Sequence, residues 1–169
     1  LETAENWELH EESCEEAATL QAISYLRQKV YSKEEANEII LDMIAWQEEN
    51  FGGHYDLYAQ QMKQFIVGYY DLPEHRVIIK KNADLQDIKE EVSKGYPVIV
   101  PITGEILKNP HYPYPGYHML TVIGYNETHI ITNDNGTMHG KNFSYKNDVF
   151  ERAYKDAAGD ILIIKISKD

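Results

Sequence analysis

Residues 13–26, with the sequence SCEEAATLQAISYL, place the chain's one cysteine at the start of a predicted helix. The apolar residues after Cys14 recur at intervals of three and four, as on one face of an α-helix, and Ser13 is a suitable N-cap. A single thiol cannot form an intramolecular disulfide, so Cys14 is either a buried apolar residue or a nucleophile. The positive end of a helix stabilises a thiolate, and its unpaired N–H groups can bind a developing oxyanion. This setting favours the nucleophile.

The length and net charge of the chain indicate how many domains it has and which partners it is unsuited to bind. The chain has 169 residues, 43% of them hydrophobic, with no internal repeat or compositional break, so we expect a single domain over residues 1–169. Sixteen basic and 28 acidic residues give a formal net charge of -12, which disfavours nucleic acid and anionic lipid as partners. A cationic peptide substrate fits this charge, and so does an acidic surface with no binding role.

Membrane spans, metal sites and cofactors are not indicated. No apolar run approaches the roughly 20 residues that a membrane-spanning helix needs. No pair of histidines has the helix-face spacing of metal ligands, and there is one cysteine, so we expect neither a metal nor a cofactor. The chain begins at Leu1 rather than at a methionine, which allows for an upstream targeting segment that has been removed. Under that condition an extracytoplasmic or cell-surface location is expected.

The predicted elements run from helices to strands. Hydrophobic periodicity predicts helices over 14–30, from 33 onward behind a Ser32–Glu35 capping box, over 57–67 and over 85–92. Strands are predicted over 77–79, 96–102, 118–124, 128–132 and 161–166, with a short helix over 148–154. The prolines in the second strand predict an edge or strand-end position. This order predicts an α+β fold in which N-terminal helices pack on a mainly antiparallel sheet.

Residues 118–125, HMLTVIGY, form a predicted strand that begins with a candidate catalytic base. A nucleophilic cysteine needs a base that titrates near neutrality, and that base needs a partner to orient its second ring nitrogen. A hairpin turn over 125–127 would set Asp134 directly opposite His118. A slip of one residue would instead bring Asn133 to the face of His118, which leaves Asn133 as the alternative orienter.

Three stretches together resemble the C39-like peptidases of the papain-like superfamily. They are residues 13–18 (SCEEAA), 118–125 (HMLTVIGY) and 132–136 (TNDNG). In those peptidases a Cys opens the first long helix, and a His far downstream begins a strand that ends in Gly-Tyr. An Asp follows sixteen positions after the His, as Asp134 does here. The stretch HEESCEEA at residues 10–17 is similar to a CEEA-bearing bacterial subset of the group.

The resemblance implies a papain-like fold and a thiol protease that hydrolyses peptide or isopeptide bonds through a thioester acyl-enzyme. Cys14 would attack the scissile carbonyl, His118 would take and return the proton, and Asp134 would hold the ring. The Cys14 backbone N–H would supply one oxyanion donor. Relatives place a Gln about six positions before the Cys, where this chain has Glu8, whose carboxylate cannot donate. Candidates for the second donor are His10, Asn6 and the Trp7 indole, or a residue upstream of Leu1.

Other residues are candidates for the substrate cleft. The Pro- and Tyr-rich loop over 104–116 is either an ordinary ordered loop, which is the commoner case, or part of the rim of the cleft. The candidates for lining it are Trp7, His54, Tyr114 and Tyr117. Four acidic residues surround the cysteine in sequence, and on an exposed helix start they would raise the thiol pKa and could select a basic side chain in a peptide substrate. They are Glu11, Glu12, Glu15 and Glu16.

Two other functions fit the same residues. The missing Gln is compatible with a catalytically weak or inactive peptide-binding module on the same fold. A different Cys-His-Asp acyl-transfer enzyme, such as a cell-wall amidase of the NlpC type or a transglutaminase-like enzyme, is the second alternative. The long insert of helices between Cys14 and His118 fits the C39-like plan better than this second alternative.

Overall fold

The computed structural model describes residues 12–113 and 116–166. The helices in these ranges are α1 (Cys14–Arg27), α2 (Lys33–Phe51), α3 (Ala59–Tyr70), α4 (Leu85–Ser93), α5 (Gly104–Leu107) and α6 (Asn147–Asp156). The strands are β1 (Val77–Lys80), β2 (Val98–Thr103), β3 (Tyr117–Tyr125), β4 (His129–Asn133), β5 (Phe143–Lys146) and β6 (Ile161–Ile164). Within the same ranges, no helix combines the length and the apolar character that crossing a bilayer requires.

The strands form one antiparallel sheet in the order β1-β6-β2-β3-β4-β5, which confirms the predicted α+β class. Successive side chains of a strand point to opposite faces. Ile99 and Met119 accordingly join a cluster with α1, α2 and α3, whereas Val100 and Leu120 join a second cluster with α4, α5 and α6. Helices therefore cover both faces of the sheet.

Helix α1 is held closely against β3. Its inward positions Ala18, Ala22 and Ile23 are fully buried, and the two alanines leave room for the strand. The Thr121 hydroxyl of β3 donates to the Ala18 carbonyl at 2.9 Å. This contact fixes α1, one turn after the cysteine, against the middle of β3.

Of the two positions predicted from the prolines, an edge position of β2 is wrong, because β2 lies between β6 and β3, whereas Pro97 does stand at the strand end, directly before Val98. Pro101 pairs with Met119 of β3, whereas β6 pairs only with Val98 and Ile99. The sheet tolerates the missing N–H because β6 does not extend alongside Pro101. The proline therefore marks the end of one neighbouring strand rather than an edge of the sheet.

The β3–β4 hairpin has neither of the two predicted registers. Tyr125 pairs with Ile130, and a bulge between Val122 and Gly124 shifts the remaining pairs by one residue. The turn is consequently longer than 125–127, and the Asn126 side chain closes it by accepting from the backbone N–H groups of residues 128 and 129. Strand β4 then ends one residue before Asp134.

Candidate active site

Cys14 begins α1, as the helix periodicity predicted, and its side chain is half-buried. Ser13 is the N-cap residue, but its side chain forms no capping hydrogen bond. The Cys14 carbonyl accepts from Asn135 Nδ2 at 2.8 Å. The first residue of α1 is therefore tied to the segment that follows β4, 121 positions away in sequence.

The thiol donates its hydrogen bond to Glu15. Cys14 Sγ donates to Glu15 Oε2 at 3.0 Å, and no hydrogen bond joins Sγ to His118 in the described part of the chain. Burial raises the pKa of the Cys14 thiol well above its ordinary value, and the charge of Glu15 and this hydrogen bond raise it further. A hydrogen bond from the backbone of Met119 lowers that pKa, which places the sulfur beside the residue that follows His118.

Glu15 and Glu16 are buried, each 1% exposed, so the expectation that both belong to an acidic surface is wrong. Glu15 Oε1 accepts from the Leu57 N–H at 2.8 Å. Glu16 Oε1 accepts from Gln47 Nε2 and lies 3.4 Å from His54 Nε2. Burial raises the pKa of Glu15 to about 7, and hydrogen bonding to Glu16 raises the pKa of His54. These partners lie far along the chain, so they compensate the buried carboxyl groups in a way that local sequence does not reveal.

His118 and Asp134 are brought together in spite of the altered register. His118 Nε2 lies 3.1 Å from Asp134 Oδ1, and Asp134 is 3% exposed. Because Asp134 lies beyond the end of β4, its side chain is placed by a local turn in which the Gly136 N–H donates to Oδ1 at 3.0 Å. With Nε2 bound to the carboxylate, Nδ1 of His118 is the ring nitrogen left to serve a thiol.

The second oxygen of Asp134 is held by three side chains that the sequence did not identify as functional. Oδ2 accepts from Tyr112 at 2.6 Å, from Asn109 Nδ2 at 3.3 Å and from the Tyr145 hydroxyl. Burial alone would raise the pKa of Asp134, but the hydrogen bonds from His118, Tyr112 and Tyr145 lower it overall. A carboxylate that receives this many donors remains ionised and keeps a fixed orientation.

The alternative orienter, Asn133, does not contact His118. Its Oδ1 accepts from the Asn142 N–H at 3.3 Å. Asn133 and Asp134 are neighbours in an extended segment, so their side chains leave the backbone in different directions. The hypothesis that Asn133 orients His118 is therefore wrong.

Cys14 and His118 line one cavity of about 820 Å³. The ring of Tyr112 packs edge-on against His118, with ring centroids 5.2 Å apart, and Gly136 completes this side of the cavity. Two exposed acidic residues, Glu12 and Asp56, also contribute to the lining. The apolar part of the wall is formed by Ala17, Leu20, Val30, Tyr31, Ala36 and Ile40. The cavity thus brings together a thiol, an imidazole and space for a side chain.

The sequence matches the Peptidase_C39 like family over residues 3–160, which is most of the chain. The chain belongs to the C39-like peptidase family. Its helices and antiparallel sheet are those of a papain-like cysteine peptidase. The comparison with curated proteins finds no match.

Two solved structures show the same fold as this C39-like peptidase. One is the peptidase domain of Streptococcus ComA, a bifunctional ABC transporter involved in a quorum sensing pathway. It is 15% identical, with 92% of this chain and 93% of that chain covered and a TM-score of 0.54. The other is a Bacillus anthracis protein assigned as a C39-like peptidase, which is 16% identical, with a TM-score of 0.53. The match covers 69% of this chain and 63% of that one.

Of the residues predicted to line the cleft of the C39-like peptidase, one lines the cavity, one does not, and the others lie outside the described residues. Tyr117 lines the cavity, and its hydroxyl donates to the Leu57 carbonyl at 3.3 Å. His54 is not among the lining residues, and its prediction is wrong because its imidazole is engaged by Glu16. The remaining candidates lie outside the described residues: Trp7, Tyr114 and the proposed oxyanion donors Asn6 and His10. Within residues 12–113 and 116–166, no group of three or more His, Cys, Asp or Glu residues could hold a metal ion.

Gly140 fixes the backbone that carries Asp134, and this yields a stability prediction. The Asp134 N–H donates to the Gly140 carbonyl at 2.9 Å, and a Cβ on Gly140 would lie 1.7 Å from the Asp134 carbonyl oxygen. Because the clash is with backbone, Gly140→Ala should lower the free energy of unfolding by about 3 kcal/mol, as measured by urea denaturation. Gly53→Ala is the matched control, since its Cβ meets Tyr55 at an ordinary 3.4 Å. Equal stability of the two variants would contradict this account.

Proposed function

We propose that this C39-like peptidase hydrolyses peptide bonds with Cys14 as the nucleophile, His118 as general base and acid, and Asp134 as the orienting carboxylate. One observation carries the proposal. A single cavity is lined by the chain's lone thiol and by an imidazole whose Nε2 is bound to a buried carboxylate. The position of the thiol at a helix N-terminus supports the same assignment.

The proposed reaction is acyl transfer in two stages. The proton of Cys14 passes to His118 Nδ1, and Sγ attacks the scissile carbonyl carbon. The backbone N–H at the start of α1 is the candidate donor to the oxyanion, and the imidazolium then protonates the departing amine. Water, deprotonated by His118, hydrolyses the thioester and restores the thiol. Asp134 stabilises the imidazolium in both stages without taking its proton.

The cavity also supports a proposal about the substrate. Its apolar wall fits an apolar side chain of a bound peptide, and the exposed carboxylates Glu12 and Asp56 fit a basic one. The net charge of -12 would attract cationic peptides at low ionic strength. A peptide with both kinds of residue near the scissile bond is therefore the proposed substrate class.

A peptide library tests this function. The protein is incubated with proteome-derived peptides, and new termini are identified by mass spectrometry, with peptidoglycan fragments in a parallel reaction. We expect peptide cleavage that is lost after iodoacetamide treatment of the enzyme. Cleavage of peptidoglycan fragments alone, or of neither material, would contradict the peptidase assignment. Cleavage sites with no enrichment of Lys or Arg would remove the preference for basic residues and leave the rest intact.

A further inference from the structure

Glu15 has no role in the proposed acyl transfer, yet its side chain is the hydrogen-bond partner of the nucleophile. Oε2 accepts from Cys14 Sγ at 3.0 Å, while Oε1 accepts from the Leu57 N–H at 2.8 Å. The residue is 1% exposed, and Leu57, which belongs to the segment between α2 and α3, is fully buried. Glu15 therefore connects the sulfur to a well-packed part of the backbone.

A carboxylate in this position opposes formation of the thiolate. While the thiol donates to Glu15, its proton is directed away from His118, because an S–H group has one proton to donate. Two negative charges about 3 Å apart and shielded from water would also repel each other strongly. Of the other charged groups near Glu15, Glu16 and Asp56 are acidic and add to this repulsion. The cation that faces Glu15 is His54, which lies 3.4 Å from Glu16 Oε1 and whose pKa the charge of Glu15 also raises.

We propose that Glu15 is a positioning residue that holds Cys14 as a protonated thiol in the substrate-free enzyme, so that the sulfur must leave Glu15 before it can react. This inference rests on the proposed function, in which Cys14 is the nucleophile. In the held state the proton remains on Sγ. When Sγ turns to His118, the proton passes to Nδ1, and Glu15 keeps its hydrogen bond to Leu57.

Glu15→Gln separates the charge of this residue from its structural contact. The amide oxygen can still accept from the Leu57 N–H, while the amide nitrogen carries no charge and can donate to the sulfur. The measurement is the rate constant for iodoacetamide alkylation of Cys14 from about pH 5 to about pH 10, which follows the thiolate population. We expect alkylation at about pH 8, where a carboxyl group with a pKa of about 7 is mostly ionised, to be roughly tenfold faster in Glu15→Gln, with its midpoint moved to lower pH by about one unit or more.

The control is Glu49→Gln, which removes a charge from an exposed residue of α2 that does not line the cavity. Its alkylation profile should match the wild-type profile, and circular dichroism should show both variants folded. An unchanged or slower alkylation rate in Glu15→Gln would overturn the proposal. The wild type supplies a second test that needs no variant, because a thiol midpoint below that of free cysteine would overturn the proposal too.

These rates do not depend on peptide cleavage. Alkylation rates are also compared between His118→Ala and the double variant Glu15→Gln/His118→Ala, to test whether Glu15 acts on the thiol directly. The double variant should still be alkylated faster. An unaltered rate in that background would overturn a direct action of Glu15. Failure of the alkylation test would leave peptide cleavage intact, whereas absence of cleavage with a positive alkylation test would refute the peptidase assignment alone.

Discussion

Peptide cleavage is expected to disappear when Cys14 is replaced by alanine. The acyl-enzyme requires a covalent bond to Sγ, and no second thiol exists in the chain to replace it. Cys14→Ser should lose at least about 10⁴-fold in kcat/KM, because a serine hydroxyl is far less acidic than a thiol in the same position. The measurement is the rate of hydrolysis of the best peptide from the library.

Two controls make this result specific. Cys14 is half-buried, and the first turn of α1 is also held by the Ser13 carbonyl, which accepts from the Ala17 N–H at 3.1 Å. The alanine variant should therefore keep its stability to within about 1 kcal/mol. It should also bind the uncleaved peptide, as measured by fluorescence anisotropy. Undiminished hydrolysis by the alanine variant would show that another group performs the chemistry.

Local sequence predicted the start of α1 and the capping box of α2 because these depend on residues a few positions apart. The Ser32–Glu35 capping box is present, with both reciprocal hydrogen bonds. The start of α1 at Cys14 follows from the same short-range pattern. Features of this kind need no knowledge of the rest of the fold.

The register of the β3–β4 hairpin could not be predicted in the same way. A bulge adds one residue to one strand, and the sequence between Val122 and Gly124 shows no feature that requires it. The sixteen-residue spacing typical of the C39-like peptidases nevertheless pointed to Asp134. That spacing reflects the contact between the His and the Asp in folded relatives, and it does not depend on how β3 and β4 pair. The side chains that hold Asp134 come from β5 and from the loop between α5 and β3, and they meet Asp134 only in the folded protein. The sequence around Asn109 and Tyr145 therefore shows no pattern that indicates this role.

The burial of the acidic residues beside Cys14 could not be predicted for a related reason. Consecutive glutamates at the beginning of a helix are usually solvated, and their charge complements the helix dipole. Here Glu15 and Glu16 are covered because the segment after α2 and the Gln47 side chain supply donors to their oxygens. A pattern within one helix cannot show that a distant segment will cover it.

Replacing His118 with alanine is expected to lower kcat/KM by about 10³- to 10⁴-fold. The loss removes both the base that takes the thiol proton and the acid that protonates the leaving amine. It also deprives the buried Asp134 carboxylate of one of the donors that keep its pKa low, so that its remaining partners are Tyr112, Tyr145, Asn109 and the Gly136 N–H. Hydrolysis of the same peptide, measured from about pH 5 to about pH 9, checks the prediction.

His111→Ala is the matched control for this variant. His111 belongs to the same region of the fold, but its ring packs on His139 and Phe143 and does not line the cavity. Its removal should change kcat/KM by less than about threefold, because surface changes away from the reacting atoms have small effects. If His118→Ala retained most of the activity at every pH, the imidazole bound to Asp134 would not be the catalytic base. Because Glu15 is also in contact with the thiol, the next base to test would then be its carboxylate, whose pKa of about 7 lies in the range required of a general base.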